Sequence, residues 1–396
     1  MYGCRQEVTK TDKGRNLSTL IGGICALSLA MGVARFGFTP IIPLMQRDTG
    51  ATGWDIAAMA SANYLGYLLG AYCSGRPWVR MHLRSWLGGG LAFSIFLLLA
   101  MPLTLNQLLW QFMRLGSGFL SAVLFVAASG IVLGQGRSGQ ARYLYSGVGV
   151  GIAFTGLAVP LFDAVGGWRA AWLGLALGGA FFGAVAWLTL AHTARSVAAS
   201  TEAAQASDRF ERDRSWCALL VSYGLEGIGY IITATFIVQM IGAMPALSHV
   251  ANQSWVVIGL AAAPSAWMWD RLARKLGIQA GLVLAYGLQA VGMLLPVVIV
   301  HPASALAGGV LFGGTFIGIT SLTITLACRL QPQAQIRAIG ELTTIYALGQ
   351  IIGPVVAAQL QMYAGIAAPS VFAAATLLLA LLTLAALNGK RKGEDV

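Results

Sequence analysis

Twelve runs of roughly twenty mostly apolar residues recur along this 396-residue chain, and a bilayer core of about 30 Å is crossed by about 20 helical residues. Their approximate limits are 17–43, 54–75, 85–105, 107–134, 142–163, 168–191, 215–241, 249–269, 278–300, 303–328, 337–362 and 367–388. The runs are continuously apolar, without the alternation of a barrel strand, so helices are expected. Composition agrees. Apolar residues make up 57% and charged residues 10%, against about 25% charged in ordinary soluble domains. That is too little charge to coat soluble surfaces, which excludes a soluble enzyme, a disordered chain and a disulfide scaffold.

Charge placement tests the count independently. If the N-terminus is cytoplasmic, 21 of the 25 Lys and Arg residues fall in cytoplasmic loops and tails. Two, Arg47 and Arg169, fall on the other side, and two, Arg35 and Arg114, fall inside spans. This is the positive-inside pattern of a multi-pass membrane protein with both termini in the cytoplasm. The net charge of +11 is spread over loops, with no basic helix interleaved with aromatics, so no nucleic-acid partner is expected. The apolar stretch after Asn16 is too long for a signal-peptide core and reads as a retained first span. The mixed-charge stretch 192–214 reads as a cytoplasmic linker between a six-helix half at 1–191 and a second at 215–396. Cysteines and histidines are scattered, so no metal and no cofactor are expected.

The halves look duplicated. Gly32-Val-Ala-Arg-Phe sits like Gly227-Ile-Gly-Tyr-Ile, an offset of 195, and the basic loops from Arg76 and Arg271 share that offset. Gly147 and Gly156 in span 5 match Gly340 and Gly349 in span 11 at an offset of 193. Two parallel halves place a cavity between them near the bilayer midplane.

Asp270-Arg-Leu-Ala-Arg-Lys275 is similar to the cytoplasmic loop motif of the major facilitator superfamily, Arg114-Leu-Gly-Ser-Gly118 to its span-4 element, and Gly340, Gly349, Gly353 and Pro354 to the glycine-proline motif of its antiporters. The segments Met31–Met45 and Tyr223–Phe236 resemble the bacterial YbfB/YjiJ branch. The resemblance covers essentially the whole chain. It implies an all-α membrane protein with twelve transmembrane helices in two pseudo-symmetric halves, the major facilitator fold, working by alternating access. The loop after span 2 lacks the expected aspartate, so the resemblance implies an inward gate that leans on Asp270, with Arg271 and Arg274 beside it.

The candidate residues follow from depth. Arg35 lies well inside span 1 and Glu226 near the middle of span 7, on pseudo-equivalent helices. They read either as an ion pair locking the halves or as substrate and proton sites. Asn63, Tyr64, Gln111, Tyr230, Tyr346 and Gln350 are the polar residues that can join them. Arg114 costs roughly 2.5–3.5 kcal/mol at membrane depth and must find a partner, in a structural, gating or proton-linked role. Gly349 and Gly353 keep a helix face bare for close approach, and Gly340 extends that series. Glu341, four residues after Arg337, reads as a stabilising pair, a gate or a second proton site. Asp55, Asp163, Arg47 and Arg169 read as solvated caps at outer span ends.

No nucleoside-triphosphate loop is present, so a gradient must supply the energy. The reading is a secondary transporter, not an enzyme, for a small organic solute, anionic if Arg35 binds it, coupled to protons through Glu226 and acting as a monomer in the bilayer. The alternatives are an efflux antiporter for lipophilic compounds and, from another class, a non-transporting receptor or sensor.

Overall fold

The computed structural model describes residues 10–74, 76, 82–133, 140–198, 210 and 212–394. Most of the linker, 199–209 and 211, therefore lies outside the described residues, as does most of the basic loop after span 2. Among the described residues there is no strand. The elements are α1 (Lys10–Leu27), a π-helical turn (Ser28–Val33), α2 (Phe38–Thr49), α3 (Gly53–Ser74), α4 (Leu83–Ala100), α5 (Gln107–Leu133) and α6 (Ser146–Ala198) in the first half. The second half holds α7 (Arg214–Ala243), α8 (Ala251–Leu276), α9 (Ile278–Val298), α10 (Pro302–Leu330), α11 (Gln335–Ala364) and α12 (Ala368–Glu394).

Nine segments among the described residues are long and apolar enough to cross a membrane. One of the nine, Ala141–Ala194, contains a break at Gly166 and Gly167, where Gly167 adopts φ +66°. That left-handed conformation suits glycine, and it separates the runs expected at 142–163 and 168–191. α3 and α8, of 22 and 26 residues, stand in the bundle beside these segments.

Local chemistry starts several helices. Thr52 and Asp55 form a reciprocal capping box at α3, with Thr52 N to Asp55 Oδ2 at 2.8 Å and Asp55 N to Thr52 Oγ1 at 3.2 Å. The Asn106 side chain accepts from the Leu108 and Leu109 amides at α5. Asp213 accepts from the Trp216 amide at α7. Asp48 accepts from the Trp168 amide just after the Gly167 break, and Arg47 bonds both Asp48 and Asp163. Asp55 is thus a cap as expected, whereas Asp163 is held in an ion pair.

Glycines set how closely the helices approach. A Cβ on Gly32 would lie 2.3 Å from the Gly151 Cα, and one on Gly227 would lie 2.4 Å from the Tyr346 carbonyl oxygen. Positions 227 and 346 each lie 195 residues after 32 and 151. The same interhelical contact is therefore built twice, between π turn and α6 and between α7 and α11. Between the halves, α6 meets α8 backbone to backbone, a Cβ on Gly259 falling 2.2 Å from the Ala153 amide nitrogen. α3 meets α11 through Ser61 Oγ, which donates to the Ile351 carbonyl at 2.8 Å. The periphery is apolar: Leu103, Val165 and Leu188 are 82%, 81% and 80% exposed. Such a surface belongs in lipid, not water.

Candidate functional site

The site begins with a defect in the first membrane-crossing segment. Between α1 and α2 the backbone bonds lengthen to five residues, Ala34 N to Leu29 O at 2.8 Å and Phe36 N to Met31 O at 3.0 Å. Pro40 has no N–H for the Phe36 carbonyl, which is taken by the Thr39 amide instead. π turns inside helices are frequent at functional sites. Here the loosened turn exposes carbonyls to side chains of α5. Arg114 donates from Nη1 to the Ala34 carbonyl at 2.8 Å and from Nη2 to the Arg35 carbonyl at 3.0 Å. Ser117 Oγ donates to the Ala34 carbonyl at 2.9 Å, and Ser121 Oγ to the Ala30 carbonyl at 2.6 Å. Asn63 Nδ2 in turn bonds the Arg114 carbonyl at 2.9 Å. In this structure Arg114 and Asn63 therefore hold the backbone that carries Arg35.

Arg35 is 4% exposed and reaches across the two halves. Its Nη2 donates to Gln350 Oε1 at 2.6 Å, and its guanidinium carbon lies 4.0 Å from the ring centre of Tyr67 and 5.2 Å from that of Tyr64. These are cation–π distances. Its Nε is buried without a partner. Gln350 lies four residues before Pro354, which has no N–H to give the Gln350 carbonyl, so α11 is loosened where it meets Arg35.

Glu226 lies on α7, 1% exposed, and accepts from Gln289 Nε2 of α9 at 3.2 Å, while its Oε2 has no partner. Arg35 and Glu226 do not form an ion pair in this state: each is engaged by a neutral amide from another helix. Between them run aromatic rings. Tyr230, one turn after Glu226, stacks on Tyr346 at 6.1 Å and on Phe316 at 5.2 Å and meets the edge of Phe36 at 6.4 Å. Tyr346 stacks on Tyr223 at 4.4 Å.

Past Arg35 along α2 and α7, on the side away from the linker, the halves are tied directly. Thr39 Oγ1 donates to the Ala234 carbonyl at 2.7 Å, and the Tyr64 hydroxyl shares a hydrogen bond with Thr235 Oγ1 at 2.9 Å. The face away from the linker is thus closed, and the centre is occluded.

Of the residues expected to form a site, Arg35, Tyr64, Tyr230, Tyr346 and Gln350 come together, with Glu226 beside them. Gln111 sits one turn into α5, near the far end, half-buried and outside these hydrogen bonds. Glu341 lies at the linker end of α11 and accepts from Arg212 at 2.8 Å, Trp216 Nε1 at 3.3 Å and Arg337 at 3.4 Å, which ties the linker to α11. Asp270 bonds Arg274 of its own helix at 2.6 Å, and Arg271 lies over Trp267. Gly349 and Gly353 pack against α7, but a Cβ on Gly340 would meet nothing within 4 Å among the described residues, so Gly340 is no part of that close face. Sequence reasoning missed Gln289, Tyr67 and Thr235. Gln289 alone left a signal, an amide in the middle of the apolar run 278–300.

No curated protein matches the chain. Among solved structures it is similar to a mutant of the nucleoside transporter NupG, with TM-score 0.70 and 12% identity over 93% of this chain and 99% of that one. It is also similar to unmutated NupG, with TM-score 0.69 and 11% identity over 94% and 98%. At these identities the likeness establishes the fold alone. The model of the family described as uncharacterised MFS-type transporter YbfB matches residues 27–385, and with the helical bundle and its solved neighbours this places the chain in that family of major facilitator transporters.

Proposed function

We propose that this secondary transporter moves a small organic anion together with a proton through the Arg35–Glu226 region. In this reading the protein is a monomer in the bacterial inner membrane, with twelve crossings and both termini cytoplasmic. The observation that carries it is Arg35, a buried guanidinium whose hydrogen-bond partner across the halves is the neutral amide of Gln350. A charge without a counter-charge at membrane depth is expensive, and a carboxylate substrate supplies one. Charge-assisted bonds are roughly twice as strong as neutral ones, so a carboxylate displaces Gln350 from Arg35. Glu226 carries the proton: an anion arriving with a proton leaves the net charge of the site unchanged. Asp270, Arg271 and Arg274 then act at the linker-side gate, and Gly349, Gly353 and Pro354 let α11 move against α7.

The test is uptake into proteoliposomes under an imposed pH gradient, across a panel of small organic anions. A substrate should accumulate with the wild type, and Glu226→Gln should lose accumulation but retain downhill flux. Accumulation by Glu226→Gln with unchanged pH dependence would overturn the proton role.

The stack of Tyr223, Tyr346, Tyr230 and Phe316 favours a second reading, an uncharged planar ring compound held by ring faces. The likeness to a nucleoside transporter supports that reading through fold only. Competition separates the two: anions should protect Arg35 in the first, and neutral heterocycles should bind equally well to Arg35→Gln in the second.

A further inference from the structure

A second cationic feature lies away from the central site, where the first turn before α6 meets the last turns of α8. A cavity of about 430 Å³ is lined there by Arg142 and Tyr143 from the first half and by Trp267, Arg271, Arg274 and Lys275 from the second. On α8 the positions 267, 271, 274 and 275 share one helix face, spaced by four, three and one residues. Arg274 is neutralised by Asp270 at 2.6 Å. The other three cations have no carboxylate partner among the described residues. The Arg271 guanidinium rests over the Trp267 ring at 5.0 Å and that of Arg142 over the Tyr143 ring at 5.1 Å.

We propose that this cavity binds the phosphate headgroup of an anionic phospholipid, bridging the two halves at the linker end of the α6–α8 seam. The charge argument asks only for an anion. Like charges face each other across the seam, with Arg142 on one side and Arg271 and Lys275 on the other, and a phosphate between them turns repulsion into charge-assisted bonds. The surroundings choose a lipid over a soluble ion. Tyr143 in the lining is 46% exposed, and Met268 and Leu276, next in sequence to Trp267 and Lys275, are 41% and 49% exposed, so this end of α8 presents apolar surface to acyl chains. Tyrosine and tryptophan at a helix end mark headgroup depth. Basic pockets between membrane helices on the positive face are where anionic headgroups bind. The site shares Arg271 and Arg274 with the linker-side gate of the transport reading but uses none of the residues of the central site, and lipid binding is read here without transport.

The full chain, purified in neutral detergent, is titrated with phosphatidylglycerol, phosphatidylcholine or inorganic phosphate. Bound lipid is counted by native mass spectrometry, and melting temperature is followed in parallel. Phosphatidylglycerol should be retained and should raise the melting temperature, while phosphatidylcholine and inorganic phosphate at equal concentration should not. Arg142→Gln combined with Lys275→Gln should weaken phosphatidylglycerol binding at least tenfold, whereas Arg329→Gln, an exposed cation elsewhere, should leave it intact. If the double variant does not fold, Lys275→Gln alone, at an exposed side chain, carries the same comparison. Three outcomes overturn the proposal: undiminished retention by the variant, equal retention of phosphatidylcholine, or full stabilisation by inorganic phosphate, which would mark a free-anion site.

Discussion

Replacing Gly349 by alanine, with Gly340→Ala as a reference in the same helix, isolates the cost of the α11–α7 contact. Both substitutions bring the same gain in helix propensity, about 1 kcal/mol. They differ in what the new methyl meets. At Gly349 it would lie 2.6 Å from the Gly224 carbonyl oxygen, 2.9 Å from the Ile228 nitrogen and 3.1 Å from the Gly227 carbonyl carbon. All three are backbone atoms and have no rotamer to turn away. Ordinary contact begins near 3.4 Å, so α11 must retreat from α7 by ~0.8 Å. Overpacking of this kind costs about 1–3 kcal/mol. At Gly340 nothing among the described residues lies within 4 Å.

The expected difference between the variants is therefore about 1–3 kcal/mol, with propensity cancelled. Gly340→Ala should melt at or above the wild type, and Gly349→Ala below Gly340→Ala. The assay is the temperature at which half of the monomer is lost on size-exclusion chromatography, in one detergent for all three proteins. Gln350 follows Gly349 directly, so the same retreat reaches the Arg35–Gln350 bond, and transport should fall as well. If Gly349→Ala melts as high as Gly340→Ala, the close face is not under the constraint described, and the argument fails.

Other outcomes follow from the same contacts. Arg114→Gln removes two charge-assisted bonds to the Ala34 and Arg35 carbonyls, each worth about 1.5–3 kcal/mol, and should lower the melting temperature more than any single change at Arg35. Arg35→Lys keeps the charge but loses the forked donor, so affinity for a carboxylate substrate should fall roughly tenfold (about 1.4 kcal/mol), read by ligand-induced melting shifts. In a cysteine-free background, a cysteine at Ser248 should react with an impermeant thiol reagent added outside cells, and one at Gln333 should not. The reverse pattern would invert the proposed orientation.

The central cluster was legible to the extent that depth determines contact. Arg35 and Tyr230 lie inside helices that the repeat makes equivalent, Tyr346 and Gln350 lie inside α11, and the four come together. Depth does not give rotation about the helix axis, and that is where the reading of Arg35 and Glu226 as a possible ion pair departs from the structure. Glu226 points to α9, whose Gln289 holds it, while Arg35 turns to α3 and α11. The series at 340, 349 and 353 failed at its first member for a similar reason. Its spacing matched the repeat, but nine residues turn a helix by about half a circle beyond whole turns, so position 340 faces away from the side that carries Gly349 and Gly353 and is exposed. The π turn at Ser28–Val33 was hidden because five-residue bonds have no composition of their own, although Gly32, Gly37, Pro40 and Pro43 crowd the segment.

The separation of Arg35 from Glu226 changes how a coupled cycle would run. Were they paired, substrate would compete with Glu226 for Arg35. Instead the competitor is Gln350, and Gln350 belongs to the opposite half. In the proposed reading, a carboxylate that takes Arg35 therefore removes a bond holding the halves together, so loading the site and loosening the occluded state become one event. The ties at Thr39–Ala234 and Tyr64–Thr235 remain on the face away from the linker. Tyr64 also offers its ring to the Arg35 guanidinium, so any shift of Arg35 toward a substrate is felt by the residue whose hydroxyl closes that face. Tyr64→Phe keeps the ring and removes only the Thr235 hydrogen bond. It should leave anion affinity within about twofold, a change well under 1 kcal/mol, while making a cysteine at Ser248 or an added one at Thr39 more reactive from outside. Unchanged reactivity at Thr39 would show that the Tyr64–Thr235 bond does not hold the outer face closed.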